Sequence, residues 1–147
     1  MNVPSGSEEF QYAELMISLP DDWPLTKEAL SFPENSWPID WLRKIAYYPA
    51  AQNTWLGGPY TIIANDEPPQ PLGPNTKFTC ILLLAELGDL GNLQTKDGRL
   101  IKFYSLYPLY TEERDLEKEN GLGEILKRFQ IFRIKDILDL KRKNVAV

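Results

Sequence analysis

The chain has 147 residues, 43% of them apolar and 25% charged; this is ordinary globular usage and excludes disordered and fibrous classes. Its 16 Lys and Arg against 21 Asp and Glu leave a net charge of −5, the wrong balance for a footprint on nucleic-acid phosphate. There is no His and a single Cys, Cys80, which removes imidazole catalysis, the commonest metal ligand and any internal disulfide. The length supports one domain, residues 1–147, with a core that needs no staple. The longest apolar run, residues 80–85, is far short of the roughly 20 residues of a spanning helix. Met1-Asn2-Val3-Pro4 lacks the regions of a signal peptide. A soluble, cytoplasmic protein is expected, with no membrane contact, no cofactor and no metal.

Residues 12–19 form an apolar segment stopped by Pro20 and read as a strand, with a turn following at Asp21-Asp22-Trp23-Pro24, since the residue before proline is pushed out of the helical region. Residues 25–36 read as irregular. Trp37, Trp41, Leu42, Ile45 and Tyr48 then recur at helical spacing, with Asp40, Arg43 and Lys44 towards the other side. Ser36 is the expected cap, and Pro49 the expected end. Gly57-Gly58-Pro59 turns the chain into a short strand over 60–64, and four prolines between 65 and 75 mark a constrained loop. Residues 78–87 are apolar almost throughout, the pattern of a strand covered on both faces. Lys96-Asp97-Gly98-Arg99 predicts a hairpin into a long strand from Leu100. Thr111 is the expected cap of an acidic helix over 112–119, stopped by Asn120-Gly121, and an amphipathic helix follows with Leu122, Ile125, Leu126 and Phe129 on one stripe. Residues 136–143 read as a short helix or an edge strand. Prolines, 12 in all, exceed the usual share and point to shaped loops.

Several of these pieces occur together, in this order, in the Suppressor of fused family. They are Tyr12-Ala-Glu-Leu-Met-Ile-Ser-Leu-Pro-Asp-Asp-Trp23, Trp37-Pro-Ile, Asn53-Thr-Trp55 before the Gly-Pro turn, and the apolar strand from Phe78. Ile101-Lys-Phe-Tyr-Ser-Leu-Tyr-Pro-Leu-Tyr110, Gly121-Leu-Gly-Glu-Ile-Leu126 and Asp139-Leu-Lys-Arg-Lys-Asn144 complete the set. The chain resembles the short bacterial members. The resemblance implies an α+β domain, a mixed β-sheet packed with helices, without catalytic activity. It further implies an immunity protein or antitoxin that neutralises a polymorphic toxin by direct binding. The alternative is a general peptide-binding module acting by strand addition at a sheet edge. Family members carry a further segment ahead of the part matching Tyr12, so the resemblance also implies a domain lacking an N-terminal piece. An open edge at residues 12–19 would then pair two copies and expose Met16, Ile17 and Leu19.

Candidate residues have structural and functional readings side by side. Cys80 inside an apolar strand reads as core packing rather than a nucleophile. Glu112 and Glu113, with Asp115, Glu117 and Glu119, read first as a solvated face with Arg114–Glu117 and Asp115–Lys118 pairs, and second as an acidic patch meeting a basic toxin. Trp23 and Trp55 sit on turns, where Trp either plugs a core or anchors a partner. Asp21 and Asp22 beside Trp23 are adjacent carboxylates without the repeated spacing of a metal site. The partner-binding candidates are therefore Asp21, Asp22, Trp23, Trp55, Glu112 and Glu113. Gly57-Gly58-Pro59 lacks the features of a phosphate loop, and Lys141-Arg142-Lys143 reads as a solvated terminus.

Overall fold

The computed structural model of the protein describes residues 1–86 and 91–147. In chain order its elements are β1 (Tyr12–Met16), α1 (Pro33–Ala51), β2 (Tyr60–Ala64), β3 (Cys80–Ala85), β4 (Asn92–Gln94), β5 (Leu100–Leu109), α2 (Thr111–Asn120) and α3 (Leu122–Ile131). The sheet runs β1-β5-β3-β2, with β4 also on β5. β1 lies parallel to β5, while β2, β3 and β4 make antiparallel pairs. This is the expected mixed sheet with helices, an α+β fold. The expected end of the β3 strand at residue 87 lies outside the described residues.

Alternation along the strands divides the core in two. Ile81, Leu83 and Ala85 of β3, with Tyr104 and Leu106 of β5, face Trp37, Trp41 and Ile45 of α1. Cys80 and Leu82, with Leu109, face Ile125 and Phe129 of α3, and Val145 closes this layer. Cys80 is fully buried, and burial pushes its thiol pKa up. The apolar run of β3 is thus explained: both of its faces are covered. No helix among the described residues is long and apolar enough to cross a membrane.

Helix α1 begins earlier than its apolar stripe indicates. Pro33 occupies the first helical position and Phe32, not Ser36, precedes it, an arrangement that suits proline because its missing N–H is not needed there. Pro38 then falls inside the helix, where it deprives the Glu34 carbonyl of its usual donor. Asn75 Nδ2 supplies one at 3.1 Å. Pro49 does not end the helix, which continues to Ala51.

The segment after β1 turns inward. Ile17 and Leu19 pack against the α1 layer, so the expectation that they flank an open edge as exposed apolar surface is corrected. Tyr12, Glu14 and Met16 face outward on the alternate positions. The tail is neither a helix nor a full strand. It makes one parallel bridge, Ser18 to Ile137, with the Leu138 N–H donating to the Ser18 carbonyl at 2.8 Å.

Candidate functional site

β2 is an edge strand: it pairs with β3 and with no other strand among the described residues. The ladder is bounded by bonds from Ala85 N–H to the Pro59 carbonyl and from Asn65 N–H to the Thr79 carbonyl. In an antiparallel pair the bonded residues alternate, so Thr61 and Ile63 also face β3. The N–H and C=O groups of Tyr60, Ile62 and Ala64 are therefore turned outward.

Beside this edge lies a groove of about 380 Å³. One wall is α1, whose Trp41, Lys44, Ile45 and Tyr48 repeat every three or four residues and so share a side. Thr61, Ile62 and Ile63 form the strand wall, and Trp55, Leu56 and Gly57 close one end. Lys44, expected on the opposite side from the apolar stripe, lies with Nζ 4.2 Å from the Trp41 ring centre. A cation held over an aromatic face gains from the ring quadrupole and leaves the ammonium at the groove. The Trp41 indole N–H donates to the Leu72 carbonyl at 2.9 Å, which fixes the ring.

The end of the groove depends on Gly57 and Gly58, with φ of 87° and 86°, a left-handed conformation that glycine adopts without a Cβ penalty. The hydroxyl of buried Tyr104 donates to the Gly58 carbonyl at 2.6 Å, tying this turn to β5. Burial pushes the Tyr104 pKa up to about 12. Trp55 lies over Gly58, with Phe10 6.2 Å away on a tilted contact.

Of the six expected partner-binding residues, Trp55 alone lines this groove. Asp21 and Asp22 are exposed in their turn. Trp23 is half-buried against the α1 layer, and its indole N–H donates to the Asn35 carbonyl at 3.0 Å. It pins the irregular segment to the start of α1. Glu112 is exposed and accepts from Asn144 Nδ2 at 2.9 Å.

Glu113 departs from the solvated acidic face on which it was expected. It is fully buried, and its two oxygens take both terminal nitrogens of Arg142 at 2.6 Å. It also accepts from the backbone N–H groups of Tyr110 and Val145 at 3.0 Å. The bond to Tyr110 makes that residue, rather than Thr111, the cap of α2. The Arg142 guanidinium is surrounded by the Phe78, Tyr110 and Phe129 rings, 4.9–5.2 Å from their centres. Nor do the expected pairs along α2 form: Arg114 bonds Glu67 and Asp115, and Glu117 accepts from the Tyr60 hydroxyl at 2.9 Å. A helix docked on one side takes Glu113 inward and leaves Glu112 outside, which a count of charges does not reveal.

Sequence reasoning missed the strand edge and Lys44. The 41, 45, 48 repeat was a visible signal, but nothing in it tells a core stripe from the wall of a groove. Comparison with known proteins agrees with the fold. No curated protein matches the chain, and no solved structure does. The family described as Suppressor of fused protein (SUFU) matches residues 1–143, nearly the whole length and every element described above; the chain belongs to the Suppressor of fused family.

Proposed function

We propose that this domain is a non-enzymatic binding protein that receives an extended segment of a partner protein at the β2 edge. The observation carrying this reading is the coincidence of outward backbone groups at Tyr60, Ile62 and Ala64 with a groove walled by Trp41, Tyr48 and Trp55. Backbone pairing supplies affinity in strand addition, and neighbouring pockets supply specificity. Aromatic side chains are the commonest anchors of such contacts. Membership of a family of protein-binding regulators supports the same reading.

The partner in this proposal is a toxin domain, neutralised by occlusion; the resemblance to short bacterial family members and the charge of −5 support it. Exposed Asp21, Asp22 and Glu112 would steer a cationic partner. Glu113 and Trp23 are engaged inside the fold and contribute through it. A gene next to this one encoding a large secreted protein with a variable C-terminal toxin domain is expected, and the toxin reading falls if the locus contains none. Pairing of two copies through β1 is a lesser proposal, supported by that strand's edge position and by exposed Met16. Sedimentation across a concentration series, with Met16→Lys as the control, tests it; a monomer throughout rejects it.

The strand-addition reading is tested with peptides selected from a random library on the wild-type protein. Ile62→Pro removes an outward N–H, a change that edge strands tolerate, and Ala64→Pro is a second variant with less side chain to lose. Selected peptides should lose binding to both, and to Trp55→Ala, while melting remains cooperative. Peptides that bind folded proline variants as tightly as wild type would reject β2 as the site.

A further inference from the structure

The chain after α3 builds a second concave surface, of about 600 Å³, which shares no residue with the β2 groove. Its apolar part is Phe132, Ile134 and Ile137, and exposed Ile131 adjoins it in sequence. Its charged part is Arg133, Lys135, Lys141 and Lys143. None of these four cations forms an ion pair among the described residues. Arg142, which also lines the surface, is already neutralised by Glu113. The protein as a whole carries −5, so cations gathered here stand against its overall field.

We propose that this surface docks an acidic segment of a partner protein that carries apolar side chains. Charge complementarity selects the acid: four unpaired cations around one groove attract carboxylates and disfavour a basic segment. Phe132 at 42% and Ile137 at 46% exposure select the apolar side chains, since contiguous exposed apolar surface rimmed by charge marks protein contacts. A polyphosphate backbone fits less well, because it brings no apolar group to Phe132 and Ile137 and its closely spaced charges cannot avoid the carboxylates at the groove. Asp139 lines the same groove and Asp136 lies next to Ile137. Asp136 accepts only from the Ser18 hydroxyl, and Asp139 from the Lys141 N–H, so neither charge is cancelled by a cation.

The backbone is built to hold this shape. α3 ends with Ile134 N–H donating to the Phe129 carbonyl and Arg133 N–H to the Gln130 carbonyl, the paired closure in which the turning residue is usually glycine. Here it is Arg133, at a φ of 55°. Lys143 Nζ sits 4.3 Å from the Phe132 ring centre, joining the two ends of the segment. The surface is therefore presented as one unit.

The test uses the full chain, isotope-labelled, and a short synthetic peptide of Glu residues interleaved with Leu and Phe. An all-Glu peptide, a Lys analogue and phosphatidylserine vesicles are the comparators. Arg133→Gly removes a charge at a position whose φ glycine prefers, so it preserves the fold; Lys135→Gln, Lys141→Gln and Lys143→Gln are exposed changes. The Glu/Leu/Phe peptide should shift the signals of Phe132, Ile137 and Lys141 saturably and more strongly than the comparators do. The quadruple variant should weaken it by about tenfold or more, the sum expected of several exposed ion pairs. Absence of saturable shifts at these residues overturns the proposal, as does undiminished binding by the quadruple variant. Vesicle binding through the same residues with no peptide effect overturns it in favour of a lipid surface. A peptide that moves only the Thr61–Ile63 signals also overturns it, while leaving the β2 reading in place.

Discussion

Glu113 and Arg142 show how one residue pair organises distant chain. Their side chains are 0% and 8% exposed, and every oxygen of the carboxylate has a donor. Removing one member leaves the other charge buried without its counterpart, a loss of about 3–5 kcal/mol. Glu113→Gln or Arg142→Met should therefore lower the denaturation midpoint sharply, whereas Glu112→Lys one residue away should leave it nearly unchanged. Urea denaturation of the three variants compares them directly, and equal effects at 112 and 113 would contradict the burial described. Tyr104 adds a pH signature. Its native pKa is about 12 against an ordinary value near 10, so the unfolded chain loses the proton first. The stability contributed by the neutral hydroxyl is complete below pH about 10 and falls as pH rises towards about 12, by up to about 3 kcal/mol. Tyr107 and Tyr110 are also raised by burial, so the measurement is the difference between wild type and Tyr104→Phe. That difference should narrow across this interval.

At the scale of elements, α1 is held by a loop as much as by the sheet. Gly73 approaches the Trp37 ring so closely that an added Cβ would lie 2.4 Å from its Cγ. Gly73→Ala must therefore displace Trp37 or the 65–75 loop, at a cost of about 1–3 kcal/mol. Because Leu72 on the same loop receives the Trp41 indole N–H, the change should also loosen the groove wall. Thermal melting and tryptophan fluorescence of Gly73→Ala read both effects. An unshifted midpoint would mean that loop and helix are less tightly joined than this contact requires. The strands differ in the same way. β3 is paired on both sides and covered on both faces, while β2 has one side without a strand partner among the described residues. Amides of β3 should exchange only on global unfolding, and the outward amides of Tyr60, Ile62 and Ala64 much faster. A bound strand should slow those three selectively.

On the scale of the whole molecule, the two surfaces proposed for binding are of opposite construction and occupy different parts of one fold. The β2 groove is aromatic and offers backbone groups; the tail surface is cationic around an apolar centre. The molecule is acidic overall, so the two should respond differently to salt. Binding at the tail should weaken as ionic strength rises, because its exposed charges are screened beyond roughly 10 Å at 0.1 M. Binding of an uncharged peptide at β2 rests on hydrogen bonds and aromatic burial and should change little. Titrations of each peptide class at low and high salt would separate them, and identical salt dependence would contradict the division.

Read alone, the chain determined whatever depends on local pattern and order. The two-sided burial of β3 followed from an unbroken apolar run, and the β4–β5 hairpin from Asp97-Gly98. The break between α2 and α3 followed from Asn120-Gly121, where Gly121 takes a φ of 84°. The family was legible too, because its pieces occur in order along nearly the whole chain. Only the tertiary structure decided which exposed-looking residues are engaged elsewhere. Glu113 reads as one acid in a charged run, and its burial depends on Arg142, 29 residues away. Lys44 stays exposed on its flank of α1, and only the placing of β2 opposite makes that flank the wall of a groove. Which side of β2 lacks a strand neighbour among the described residues is set by the sheet order, a long-range property with no local signal. Trp55 was a candidate on residue type, but its place at the groove comes from the Gly57-Gly58 turn and from Tyr104 holding that turn across the fold.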